Sequence, residues 1–247
     1  MVNRDQLIDF CNETLKVSQF DDYCPNGLQI EGRKQVKKII SGVSANQDLI
    51  DKAIEKEADA IFVHHGIFWK NESMAITGYQ TQRVKKILDA GMNLFAYHLP
   101  LDDHKELGNN SKLASILGIS NPEPVEESLI WTGEINDTSL GEFSLLVEKK
   151  LCRSPQVFGN LKSSIKKVAW CTGGAQKYFQ DAINLNVDLF ITGEISEQIP
   201  AMAKESGVSF MSAGHHATER YGVQALCQFL AEKFKLEHEY IEIPNDV

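Results

Sequence analysis

The chain has 247 residues, 43% hydrophobic and 24% charged, an ordinary globular composition with room for one large domain or two small ones. No apolar run approaches the roughly 18 residues of a membrane-spanning helix, and the polar, acidic N-terminus lacks the basic start and apolar core of a secretory signal, so a cytoplasmic protein is expected. A net charge of -9, with no Lys/Arg run longer than two residues, argues against general nucleic-acid binding, and five cysteines without a CxxC pair read as reduced structural thiols.

In chain order, residues 3–18 read as a helix capped by Asp5, with Leu7, Ile8, Phe10, Cys11 and Leu15 on one stripe. Asp22-Tyr23-Cys24-Pro25-Asn26-Gly27 is a turn cluster leading into a short strand, 28–30. A second strand spans 36–43, and a helix spans 47–57 with Leu49, Ile50, Ala53 and Ile54 facing the core. Ala60-Ile61-Phe62-Val63-His64-His65-Gly66 is an apolar run ending in two histidines and a breaker, the pattern of a strand buried on both faces. Residues 67–80 read as an irregular loop, 81–90 as a helix stopped by Gly91, and 92–97 as a strand ending in His98. Pro100 marks the following stretch, through Asp102, Asp103 and His104, as a loop, and 109–117 is a helix.

Asn121-Pro122-Glu123-Pro124 is the candidate boundary between a first half, 1–120, and a small strand-helix-strand insert, 121–165. The second half, 166–247, reads as strand 166–171, a Thr172-Gly173-Gly174 turn, helix 175–185, strand 187–192 ending in Gly193-Glu194, helix 196–206 and strand 208–213. Gly214-His215-His216 then leads to a last helix, 221–233, and a closing strand, 239–243. Residues 37–65 align without a gap on 166–194, placing Lys37-Lys38 on Lys166-Lys167, Gln47 on Gln176, Ala53-Ile54 on Ala182-Ile183 and Asp59 on Asp188. Residues 92–98 likewise match 208–214. The expected fold is therefore α/β, with two similar halves, mixed sheets and a metal site in the cleft between the halves.

The polar groups collect at four strand ends: His64 and His65; His98, Asp102, Asp103 and His104; Glu194; His215, His216 and Glu219. His215 and Glu219 are four apart and share one face of a helical turn. Imidazole and carboxylate without thiolate suit a hydrolytic Zn, Fe, Mn, Co or Ni centre, and more than four such ligands point to two ions. His104 reads as a solvated bystander, Phe68 and Trp69 as core or interface, and Gly173-Gly174 as a turn.

Asp22 to Gln29, Val63-His64-His65-Gly66, His98-Leu99-Pro100-Leu101-Asp102, Trp170 to Gly174, Thr192-Gly193-Glu194 and Gly214 to Glu219 together resemble the GTP cyclohydrolase I type 2 homologue family, across nearly the whole chain. The length is that of the family's short form, without a mid-chain insert. The resemblance implies a dinuclear centre with His64, His65, Asp102, His215 and Glu219 as ligands, Glu219 bridging, and His98 and Glu194 beside it in supporting or catalytic roles. It also implies a toroidal homohexamer and a nucleotide-like substrate. Two functions follow: a metal-dependent hydrolase, or a non-enzymatic metal-binding ring that acts as scaffold or regulator for protein or nucleic-acid partners.

Overall fold

The computed structural model describes residues 1–247 apart from Asn71. The chain forms two compact units, residues 1–108 with 222–244, and residues 109–221 with 245–247. A strand β1 (Val2–Asn3) opens into helix α1 (Arg4–Thr14), followed by β2 (Gly27–Ile30), β3 (Gln35–Val36), β4 (Lys38–Ser44), α2 (Gln47–Glu55) and β5 (Ala60–His65). Next come α3 (Gly78–Asp89), β6 (Asn93–Ala96) and α4 (Leu99–Asp103). The cap of α1 is Asn3, whose side chain accepts the Asp5 N–H at 2.8 Å, and Asp5 itself lies inside the first turn. The loop expected at Pro100 is instead the short helix α4. Proline in a first turn removes an N–H that the helix does not use. The segment between β5 and α3 is irregular as expected, and Asn71 within it lies outside the described residues.

The second unit contains α5 (Asn109–Leu117), β7 (Ser120–Pro124), β8 (Trp131–Ser139), α6 (Leu140–Leu151), β9 (Gln156–Phe158) and β10 (Ser164–Trp170). It continues through α7 (Phe179–Asn184), β11 (Leu189–Thr192), α8 (Ile199–Ser206) and β12 (Ser209–Ser212). Helix α9 (His215–Phe234) starts in this unit and ends in the first, and β13 (Glu237–Tyr240) follows it. The expected boundaries at 120 and 165 are thus displaced. Leu113, Ala114 and Leu117 of α5 pack with Trp131 and Trp170 in the second unit's core, while β13 pairs with β4 in the first. The supposed boundary at residues 121–124 is part of β7, an edge strand antiparallel to β8, where proline costs no ladder bond.

The first unit's main sheet has the order β13-β4-β5-β6-β2, parallel except for β2. Along β5, Ala60 and Phe62 enter one apolar cluster with Leu7, Cys11 and Phe95, while Ile61 and Val63 enter another with Ile40, Leu49 and Leu94. Both faces are covered, which is why the strand reads as a continuous apolar run. The second unit's sheet has the order β7-β8-β10-β11-β12-β9, with β10, β11 and β12 parallel and the flanking strands antiparallel. The architecture is mixed α/β with mixed sheets.

The local register recurs between units. Ile39 faces Ala60 and Ile61 faces Leu94 in the first; Val168 faces Leu189 and Phe190 faces Phe210 in the second. These are the pairs related by the alignment of 37–65 on 166–194 and of 92–98 on 208–214. The aligned aspartates do the same work. Asp59 Oδ2 accepts the N–H groups of Lys37 and Lys38 at 2.8 and 3.1 Å, and Asp188 Oδ2 those of Lys166 and Lys167 at 2.8 Å each. None of the five cysteines is in a disulfide; Cys11, Cys24, Cys171 and Cys227 are buried, while Cys152 is exposed at the end of α6. Among the described residues no helix is long and apolar enough to cross a membrane.

Candidate metal centre

In the first unit the donors gather where β4, β5 and β6 end. His64 is fully buried, and its Nδ1 lies 2.9 Å from the Tyr97 carbonyl. A carbonyl only accepts, so Nδ1 carries the hydrogen and Nε2 carries the lone pair. That Nε2 lies 3.5 Å from Asp102 Oδ1. Asp102 follows Leu101, which is anchored in the core, and its N–H bonds back to the His98 carbonyl at 3.1 Å. His65 Nδ1 contacts the Ser44 hydroxyl at 3.1 Å, and its ring lies 4.6 Å from that of His64 and 4.8 Å from that of Trp69. Both histidines are usable together because β5 terminates at His65. A Cβ on Gly66 would meet the tip of the Gln29 side chain, whose Oε1 accepts the Ile67 N–H at 3.0 Å, so a larger residue there would have to displace that amide.

His98 is held by Asp22, a residue that the sequence alone places only in a turn. His98 Nδ1 donates to Asp22 Oδ1 and Oδ2 at 3.0 and 3.1 Å, and the Leu99 N–H and Asn26 Nδ2 also reach Oδ2. Burial disfavours the charged carboxylate, but the bonds from His98, Asn26 and Leu99 outweigh it and hold Asp22 well below the usual carboxylate range. With Nδ1–H fixed, the Nε2 edge of His98 is the acceptor. One ring nitrogen each from His64, His65 and His98 lie within 4.8 Å of one another. The contact that reveals Asp22 joins residues far apart in sequence, and no local spacing signals it.

In the second unit His215 is the first residue of α9 and not the tail of a strand, so the helix begins six residues before the expected 221. This sets His215 and Glu219 on one face, with Nε2 3.0 Å from Glu219 Oε2. On the other edge of the ring, Nδ1 lies 2.6 Å from Glu194 Oε1, just past the end of β11. Burial lowers the pKa of His215, but the carboxylates of Glu219 and Glu194 prevail and raise it to about 10. Two carboxylates that favour a proton there favour any cation. Gly173 has φ +69°, and a Cβ there would overlap Glu219 Oε1; its N–H is bound by the Thr218 hydroxyl at 3.0 Å. The Gly173-Gly174 turn thus packs against the first turn of α9.

Of the seven sequence-expected residues, His64, His65, His98 and Asp102 converge within the first unit, and Glu194, His215 and Glu219 within the second. His104 accepts two backbone N–H groups of its own turn, and His238 pairs with Ser41, so neither joins these sets. The donor chemistry fits a borderline divalent ion. Two ligands at ~2.0–2.2 Å on one tetrahedral ion stand about 3.3–3.6 Å apart, the separation found between His64 Nε2 and Asp102 Oδ1. The Glu194–His215 contact is the carboxylate support that ligating imidazoles commonly have.

Comparison with known proteins places these observations. Residues 2–246 match the model for the Duf34/NIF3 (NGG1p interacting factor 3) family. The chain is 47% identical to a GTP cyclohydrolase 1 type 2 homolog of Allochromatium vinosum, covering 97% of this chain and 95% of that protein. It is 48% identical to one from Neisseria meningitidis serogroup A, covering 96% of each. Among solved structures it resembles the protein ybgI, of unknown function, at a TM-score of 0.95 and 44% identity over 100% of both chains. A protein of Thermus thermophilus follows at a TM-score of 0.91 and 31% identity, again over 100% of both. With the matched family spanning the donors of both units and nearly every residue between, the chain belongs to the DUF34/NIF3 family.

Proposed function

We propose that the protein is a metal-dependent hydrolase acting on a nucleotide-like substrate, with His64, His65, Asp102, His215 and Glu219 as the residues that would hold two divalent ions. The observation that carries this reading is the pairing of buried His64, its tautomer set by the Tyr97 carbonyl, with Asp102 at ligand spacing. Such ions would supply Lewis acidity to an electrophilic carbon or phosphorus and to an attacking water. The chain's own groups do the rest. Asp22 keeps the hydrogen on His98 Nδ1, leaving Nε2 to accept a proton from water or return one to a leaving group. Glu194 holds His215 by Nδ1, which leaves Nε2 beside Glu219, where the two would hold a cation together.

The relatives' name makes GTP, with ring opening as the reaction, the first substrate to test. The family resemblance makes a homohexamer the proposed assembly, and five cysteines outside any disulfide support a cytoplasmic location. The test is metal analysis of protein purified with metal present, paired with a turnover screen over GTP, dinucleotides and peptides. Near two ions per chain is expected, with turnover lost in Glu219→Gln. A value near zero refutes the centre. Two ions with no turnover of any substrate would turn the reading toward a metal-binding scaffold.

A further inference from the structure

The chain has three tryptophans. Two are core residues of the second unit: Trp131 and Trp170 are 2% and 0% exposed, and the Trp170 Nε1–H donates to the Asn110 carbonyl at 3.1 Å. Trp69 differs on each count. It lies in the irregular segment after Gly66, is only partly buried, and among the described residues has one ring neighbour, His65, at 4.8 Å between centroids and 34° between planes. Among the described residues no protein group accepts its indole N–H, which is left to solvent. A large amphipathic ring placed beside the candidate ligand imidazoles, with part of its surface and its polar edge open to water, is poorly explained as core.

We infer that Trp69 is a substrate-binding residue that stacks on a planar heteroaromatic ring, of the nucleobase type, and so brings that ring to His64 and His65. This rests on the hydrolase reading for its substrate class, but the residue's role can be tested without turnover. From sequence alone Trp69 reads as core or interface, because aromatics mostly supply buried area; its exposure and its contact with His65 reverse that reading. Stacking also tolerates different bases, since every base has a π-face, which suits recognition without a hydrogen-bonding pocket.

The test uses the metal-loaded protein and guanosine, adenosine and cytidine monophosphates as probes. Tryptophan emission is excited selectively, and because the other two indoles are buried, a saturable quench reports Trp69. Equilibrium dialysis then measures the same nucleotides on Trp69→Phe and Trp69→Ala. Expected are a saturable quench, affinity about 10–100-fold weaker in Trp69→Ala, and substantial retention in Trp69→Phe, which keeps a ring. Metal content is read on every sample and should not change. Absence of a quench with all three nucleotides overturns the inference. So does unchanged affinity in Trp69→Ala, or a fall in metal content with affinity intact, which would make the indole a cover for His65. Metal near two without a quench removes Trp69's role and leaves the hydrolase reading; a quench without metal does the reverse.

Discussion

At the scale of single residues, the candidate donors are held in place by side chains outside the donor set. Asp22 spends its carboxylate on the His98 ring, the Leu99 N–H and the Asn26 amide. Asp22→Asn keeps the shape but gives up the charge that fixes the His98 tautomer. Turnover of whichever substrate is found should fall about 10–100-fold with metal content preserved, as supporting-residue losses usually do. Unaltered turnover would mean that His98 has no part in the reaction. The clustering of the candidate donors was legible in the sequence because each follows an apolar run at a strand end or sits one helical turn from another candidate. Asp22 was not, because its meaning depends on a contact with His98, on a different element and many residues away.

At the scale of elements, the internal alignment acquires a physical cause. The shared aspartate at the head of β5 and β11 caps the start of its pairing with the neighbouring parallel strand by accepting two adjacent backbone N–H groups. Asp188→Ala should cost about 1–2 kcal/mol in urea unfolding, since two N–H groups lose a charged acceptor. Asp59→Ala should cost a similar amount, slightly more for the loss of its partly exposed pair with Arg33. A cost near zero at both would make the shared residue incidental. Element type was readable from periodicity, but two ends were not. Pro100 permits a helix because it falls in the first turn, and α9 starts at His215 because the bonds of Thr218 and Gly173 decide its first turn, not an apolar stripe.

The closing strand β13 adds a pH-sensitive element. His238 pairs with Ser41 across β13 and β4, and burial pulls its pKa below the ordinary 6.5 against the opposing effect of Glu239. Above pH 6.5 the imidazole is neutral folded and unfolded alike, and stability is full. As pH falls below 6.5 the unfolded chain takes up the proton first, so stability declines until the folded value is passed. Urea midpoints should therefore drop between neutral and mildly acid pH, and His238→Gln should flatten that slope. An equal slope in the variant would place the acid sensitivity elsewhere.

At the scale of the whole molecule, the mixed α/β class and the repeated strand register follow from sequence pattern, while the division into units does not. The C-terminal strand returns to the sheet of the first unit, and α5 joins the core of the second; both are long-range packing choices that local composition does not encode. The distribution of thiols has a practical consequence. Cys152 is exposed, while burial pushes Cys11 and Cys24 up to about 12, with Asp22 adding to the effect at Cys24, and holds Cys227 well above its ordinary value. The native chain should therefore react with a maleimide once, and the unfolded chain five times. More than one fast-reacting thiol in the native protein would contradict that burial. Timed alkylation read by mass thus becomes a clock for opening events, in which each added label dates the moment a particular part of the core met water.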